Sequence, residues 1–188
     1  WAGFYLVGMM SLLILPEYEK ILAIGYTKTS LLIGLLGVSI AVSSVAAGFL
    51  SGRGIRPQLI PFGASGMAAC FVLLGTLQPT VANVAALVAL AGLSAGFYII
   101  PLQALLQKLS PGGERGRFLG TANAMSFTAS SLGAGLYWLL SGPLQIAPNR
   151  VFLACAGLAI AGTVVGTLKL RQLLAARAAA ALTAESAD

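Results

Sequence analysis

Residues 57–107 read PQLIPFGASGMAACFVLLGTLQPTVANVAALVALAGLSAGFYIIPLQALLQ, 51 consecutive positions with no Asp, Glu, Lys or Arg. A helix crossing the hydrocarbon core of a bilayer needs about 20 apolar residues. The stretch is therefore too long for one crossing and long enough for two. Near its middle stands Gln78-Pro79-Thr80, a breaker where the chain is expected to turn. The runs on either side are continuously apolar, which excludes transmembrane strands, whose side chains alternate over about 10 residues.

The other uncharged stretches are 1–16, 29–52, 118–149 and 151–168. Together they predict six spans, at about 1–16, 29–51, 57–77, 81–107, 118–140 and 151–168. The fold class expected is an all-α membrane protein, with a transmembrane unit over 1–172 and a cytoplasmic tail over 173–188. Composition agrees. Of 188 residues, 58% are hydrophobic and 9% charged, against about 25% charged in a soluble domain. Such a chain is not disordered, since disorder needs low hydrophobicity and high net charge. The first span is short and the chain starts with Trp1. We read a piece of something longer, with part of its first helix missing. That span has no basic n-region and no small-residue cleavage site, so it is not a signal peptide.

The net charge of +6 is uneven. Lys20 and Lys28 lie after span one, Arg53 and Arg56 after span two, and none at 78–80. Lys108, Arg115 and Arg117 lie after span four, Arg150 after span five, and Lys169, Arg171 and Arg177 after span six. Alternate loops share a side, so eight basic residues fall on one side and three on the other. The positive-inside rule makes the first side cytoplasmic, with both ends of the chain there. The basic charge marks topology and favours anionic headgroups; nucleic acid is not an expected partner.

Much chemistry is absent. There is no histidine, and Cys70 and Cys155 lie far apart inside spans. No metal centre, serine-histidine catalysis or disulfide is expected. No GxxxxGK[ST] occurs, so ATP is not hydrolysed on this chain. We expect no cofactor and no enzymatic activity.

Small residues recur on the spans. Gly48–Gly52 and Gly162–Gly166 are GxxxG patterns, span two also carries Gly34 and Gly37, and span five carries Gly120, Gly133 and Gly135. They are expected at helix contacts, either sliding or static. In span four, Pro101 removes a backbone hydrogen bond and should kink the helix, with Gly92 and Gly96 allowing bending beside it. Gln103 after the proline admits two readings, a cavity-facing group or a bond to a neighbouring helix. In span five, Asn123, Ser126 and Ser130 share one face by their spacings of three and four. A polar stripe should avoid lipid, as a substrate path or as interhelical glue. Spans one, four and five are expected to line the path. Arg53, Arg56, Arg115 and Arg117 mark the cytoplasmic loops, as pivots or as anchors. No Asp, Glu, Lys, Arg or His lies inside the spans, so any proton coupling falls to Glu17 or Glu19 at the membrane edge, or to another part of the protein.

Six spans with both ends inside resemble half of the twelve-helix major facilitator arrangement. The segment Gly48-Phe49-Leu50-Ser51-Gly52-Arg53-Gly54-Ile55-Arg56-Pro57 sits where that family carries a glycine-arginine loop, though Gly52 precedes Arg53 and the family's aspartate is absent. Three stretches resemble the lysophospholipid transporter branch, which occurs alone or fused to acyltransferase and acyl-ligase domains. They are Leu15-Pro16-Glu17-Tyr18-Glu19-Lys20 with Leu22 after it; Gly48–Ser51 and Gly52 through Ile60-Pro61-Phe62-Gly63-Ala64-Ser65-Gly66-Met67; and Gly96 through Gln107, with Ser110-Pro111, Glu114-Arg115-Gly116-Arg117 and Ala122-Asn123-Ala124. The resemblance implies the second half of a carrier that moves lysophospholipid across a bacterial inner membrane by rocking against a missing N-terminal six-helix half. Its partners would be membrane lipid and a lysophospholipid or other small-molecule substrate. A major facilitator exporter of drugs or metabolites is the alternative.

Overall fold

The structure is a computed structural model that describes all residues except 53, 55, 57, 111 and 186–188; side chains are likewise left aside at 112, 170, 171 and 173–185. The described residues form helices and connecting turns, with no strand among them. In order these are α1 (Ala2–Ile14), α2 (Tyr18–Leu22), α3 (Gly25–Ser51), α4 (Leu59–Thr76), α5 (Val81–Leu109), α6 (Arg115–Ser141) and α7 (Pro148–Glu185).

The boundaries follow local chemistry. Pro16 cannot donate to the α1 ladder, and the chain tightens into a 3₁₀ turn over Leu15–Glu17. The short α2 then closes on Ala23 in the left-handed region, φ 50°. The expected break at 78–80 is present. α4 ends at Thr76, and α5 begins after Thr80, whose hydroxyl accepts from the Asn83 N–H at 3.2 Å. This is an N-cap bond. Pro148 opens α7, where its missing N–H costs nothing. α7 then runs unbroken past 172 to Glu185, so its backbone marks no boundary at the expected tail. The tail is rich in alanine, the strongest helix former.

Four helices are long and apolar enough to cross a membrane: Gly25–Ser51, Leu59–Thr76, Val81–Leu109 and, within α7, Pro148–Lys169. α1, at 13 residues, is too short by that measure. α6 is long enough but too polar, because Asn123 and a run of Ser and Thr interrupt it.

α5 packs between α3 and α4, α4 packs against α7, and α1 lies along α6 and α7. The core joins Met10 and Ile14 of α1, Tyr18 of α2, Phe71 of α4, Val84 of α5 and Phe152 of α7. Phe71 stacks on Phe152 at 5.7 Å between ring centroids. In lipid, such contacts stabilise by packing rather than by removing apolar surface from water.

Close helix approach occurs at other glycines than the GxxxG pairs. A Cβ on Gly63 would lie 2.5 Å from Tyr98 N and 2.6 Å from Ser94 O, and one on Gly92 would lie 2.8 Å from Leu36 O. Gly133 abuts the Leu6 carbonyl in the same way. A Cβ on Gly48, Gly52, Gly162 or Gly166, or on Gly34, Gly37, Gly120 or Gly135, would meet nothing within 4 Å among the described residues. The expectation that these eight make contacts is corrected: spacing marks a smooth ridge, but only the fold decides which ridge has a neighbour.

Candidate functional site

The polar stripe of α6 sits at its junction with α1. Asn123, Ser126 and Ser130 line a cleft of about 230 Å³ with Tyr5 of α1 and Phe127. Ser126 is buried and Asn123 exposed. Both serines return their protons to the helix, Ser126 to Ala122 O at 2.9 Å and Ser130 to Ser126 O at 3.0 Å. This back-bonding satisfies a hydroxyl inside an apolar medium. Ser126 also accepts the indole N–H of Trp1, which holds α1 on α6. The donors left to the cleft are the Tyr5 hydroxyl and the Asn123 amide. No charged side chain is among its lining residues, so it suits an uncharged polar group beside an aromatic face.

The structure does not bring Gln103 to this cleft. It is exposed on α5, beyond Pro101. Gly92 and Gly96 lie on the α3 face of α5, where Ser43 Oγ donates to Gly92 O at 3.2 Å. Pro101 is buried, and α5 continues through it as one helix.

The loop cations separate. Arg115 Nη2 donates to Gln107 O at 3.2 Å, so it supplies a partner for a carbonyl in the last turn of α5. Arg117 borders a larger cleft that also includes Glu114. Arg56 is exposed, and its carbonyl accepts from Leu59 N at 3.2 Å. Arg53 lies outside the described residues. On the opposite loop, Glu17 accepts from the Tyr137 hydroxyl at 3.5 Å and faces Lys20 at 4.0 Å. No cluster of metal-ligating side chains occurs among the described residues.

The aromatic wall was not foreseen from the sequence. Trp1, Phe4, Tyr5 and Tyr98 form a chain of ring contacts from 5.3 to 5.6 Å that runs from α1 to α5. Its one sequence signal was the spacing of four between Trp1 and Tyr5, which places both rings on one helix face.

No curated protein matches the chain. The family model described as Major Facilitator Superfamily matches residues 2–186.

Proposed function

The chain belongs to the Major Facilitator Superfamily, and on that premise we propose that it is the second half of a lysophospholipid carrier. Its family makes it a multi-pass membrane transport protein. In our reading α1 and α3 to α7 all cross the membrane, α1 and α6 with help from their neighbours, and both ends face the cytoplasm of a bacterial inner membrane.

The observation that carries the substrate reading is the cleft of Tyr5, Asn123, Ser126, Phe127 and Ser130. It offers hydrogen bonds without charge beside an aromatic ring, on the open face between α1 and α6 where Asn123 and Phe127 are exposed. An amphiphile needs this combination: polar groups for the headgroup end, and apolar walls on which an acyl chain loses nothing by leaving the bilayer. Transport proceeds by alternating access against a second six-helix half. Near Gly63, Gly92 and Gly96, α5 is locked to α3 and α4, so we place the moving part of α5 after Pro101.

The test is uptake of labelled lysophospholipid by proteoliposomes of the full-length protein. Saturable uptake, reduced by Asn123→Leu, is expected. Efflux of drugs or small metabolites without lysophospholipid uptake would replace this reading with the exporter alternative.

A further inference from the structure

The polar groups of the cleft between α1 and α6 are not equally available to a ligand. Ser126 and Ser130 donate their protons to Ala122 O and Ser126 O, and Ser126 also accepts from the Trp1 indole. A hydroxyl so engaged has no second proton to give. That leaves the Tyr5 hydroxyl as a donor, and the Asn123 amide as a donor and an acceptor.

Size and charge then decide what the cleft takes. Its volume is about 230 Å³, which at about 30 Å³ per water-sized group admits about seven heavy atoms. The ester carbonyl, glycerol carbons and free hydroxyl of a lysophospholipid make one unit of that size. Its phosphate headgroup makes another, and the cleft does not hold both. No cation is among its lining residues, and an anion is costly to bring into a water-poor site without a partner. Arg117, the cation of α6 nearest in sequence to Asn123, stands six residues earlier, about 9 Å along the axis. It borders a different cleft. The open side, where Asn123 and Phe127 are exposed, gives the phosphate and the acyl chain their way out.

Resting on the lysophospholipid reading above, we propose that this cleft recognises the glycerol-ester unit of the substrate and not its phosphate. The Tyr5 hydroxyl donates to the ester carbonyl, and the Asn123 side-chain carbonyl accepts from the free glycerol hydroxyl. Each pairing is between uncharged groups and contributes about two- to tenfold in binding. A diacyl lipid carries a second ester chain in place of that hydroxyl, so the Asn123 contact selects the monoacyl form.

The test is binding of labelled monoacylglycerol, which carries this unit without phosphate, to the full-length protein in detergent. Saturable binding is expected. It should weaken by about two- to tenfold when an ether replaces the ester, and by a similar factor when the hydroxyl beside the ester is removed. In Tyr5→Phe the ether should bind as the ester does, and in Asn123→Leu the analogue without the hydroxyl should bind as the unmodified ligand does. Absence of saturable monoacylglycerol binding, or parent protein that binds both analogues as tightly as the ester, overturns the inference; lysophospholipid uptake alongside that result leaves the carrier reading in place. The expected binding pattern without lysophospholipid uptake upholds the specificity of the cleft and overturns the lysophospholipid reading.

Discussion

Ser43 of α3 lies directly beneath Gly96 of α5: a Cβ at position 96 would stand 2.8 Å from the Ser43 Cβ and 2.8 Å from the Ser44 backbone nitrogen. One of those atoms is backbone, so the contact cannot relax by a rotamer change. Gly96→Ala is expected to destabilise the folded chain by about 1–3 kcal/mol through overpacking. Thermal unfolding in detergent measures it. Gly48→Ala, with nothing within 4 Å among the described residues, should unfold like the parent, and Ser43→Gly should recover part of the loss in Gly96→Ala. Equal effects at 48 and 96 would remove Gly96 from the interface.

Asn123 and Gln103 should part company in transport. Asn123 lines the cleft beside Tyr5, whereas Gln103 is exposed on α5 and does not. Loss of one uncharged hydrogen bond is worth about 0.5–1.5 kcal/mol, or about two- to tenfold. Asn123→Leu and Tyr5→Phe should each slow uptake by that factor, and Gln103→Leu should leave it near the parent rate. Rates per folded molecule in proteoliposomes decide. The reverse order would put the path along α5.

Tyr18 is wholly buried beside Phe152, and its hydroxyl has no hydrogen-bond partner among the described residues. Burial pushes the phenol up from 10 to about 12. Leaving a buried hydroxyl unpaired costs about 1–3 kcal/mol, so Tyr18→Phe should be neutral or stabilising at pH 7. The sign in alkali follows from linkage. The folded chain holds this proton up to about pH 12, while the unfolded chain releases it near 10. Stability from this group is complete below pH 10 and is lost as pH rises from 10 to 12. Unfolding midpoints at pH 7 and pH 11 should therefore fall less for Tyr18→Phe than for the parent. An equal fall would show that the phenol is wetted.

Much of the architecture was legible because charge is so costly in hydrocarbon that each charged residue marks an edge. The spans expected at 57–77 and 81–107 became Leu59–Thr76 and Val81–Leu109, with the break at Gln78-Pro79-Thr80. The stripe of Asn123, Ser126 and Ser130 was legible too, since helical spacing alone puts the three on one face. Its neighbours were not. Nothing local in the sequence announces that Tyr5 and Trp1, more than a hundred positions away, complete that face. Arg115 read as a loop cation and became a partner for Gln107 O, because a carbonyl's need for a donor depends on where its helix ends.

The glycines separate the two sources of information most clearly. The sequence by itself determined the six main helices and their small-residue ridges, though neither the full length of α7 nor the short α2, because hydropathy and backbone propensity act over one or two turns. It could not say that Gly63, Gly92, Gly96 and Gly133 touch another helix while, among the described residues, Gly48, Gly52, Gly162 and Gly166 meet none. Only the tertiary structure decided that. Close approach is a property of two surfaces, and in a bilayer, where apolar side chains gain little by leaving lipid, fit between surfaces selects the partner.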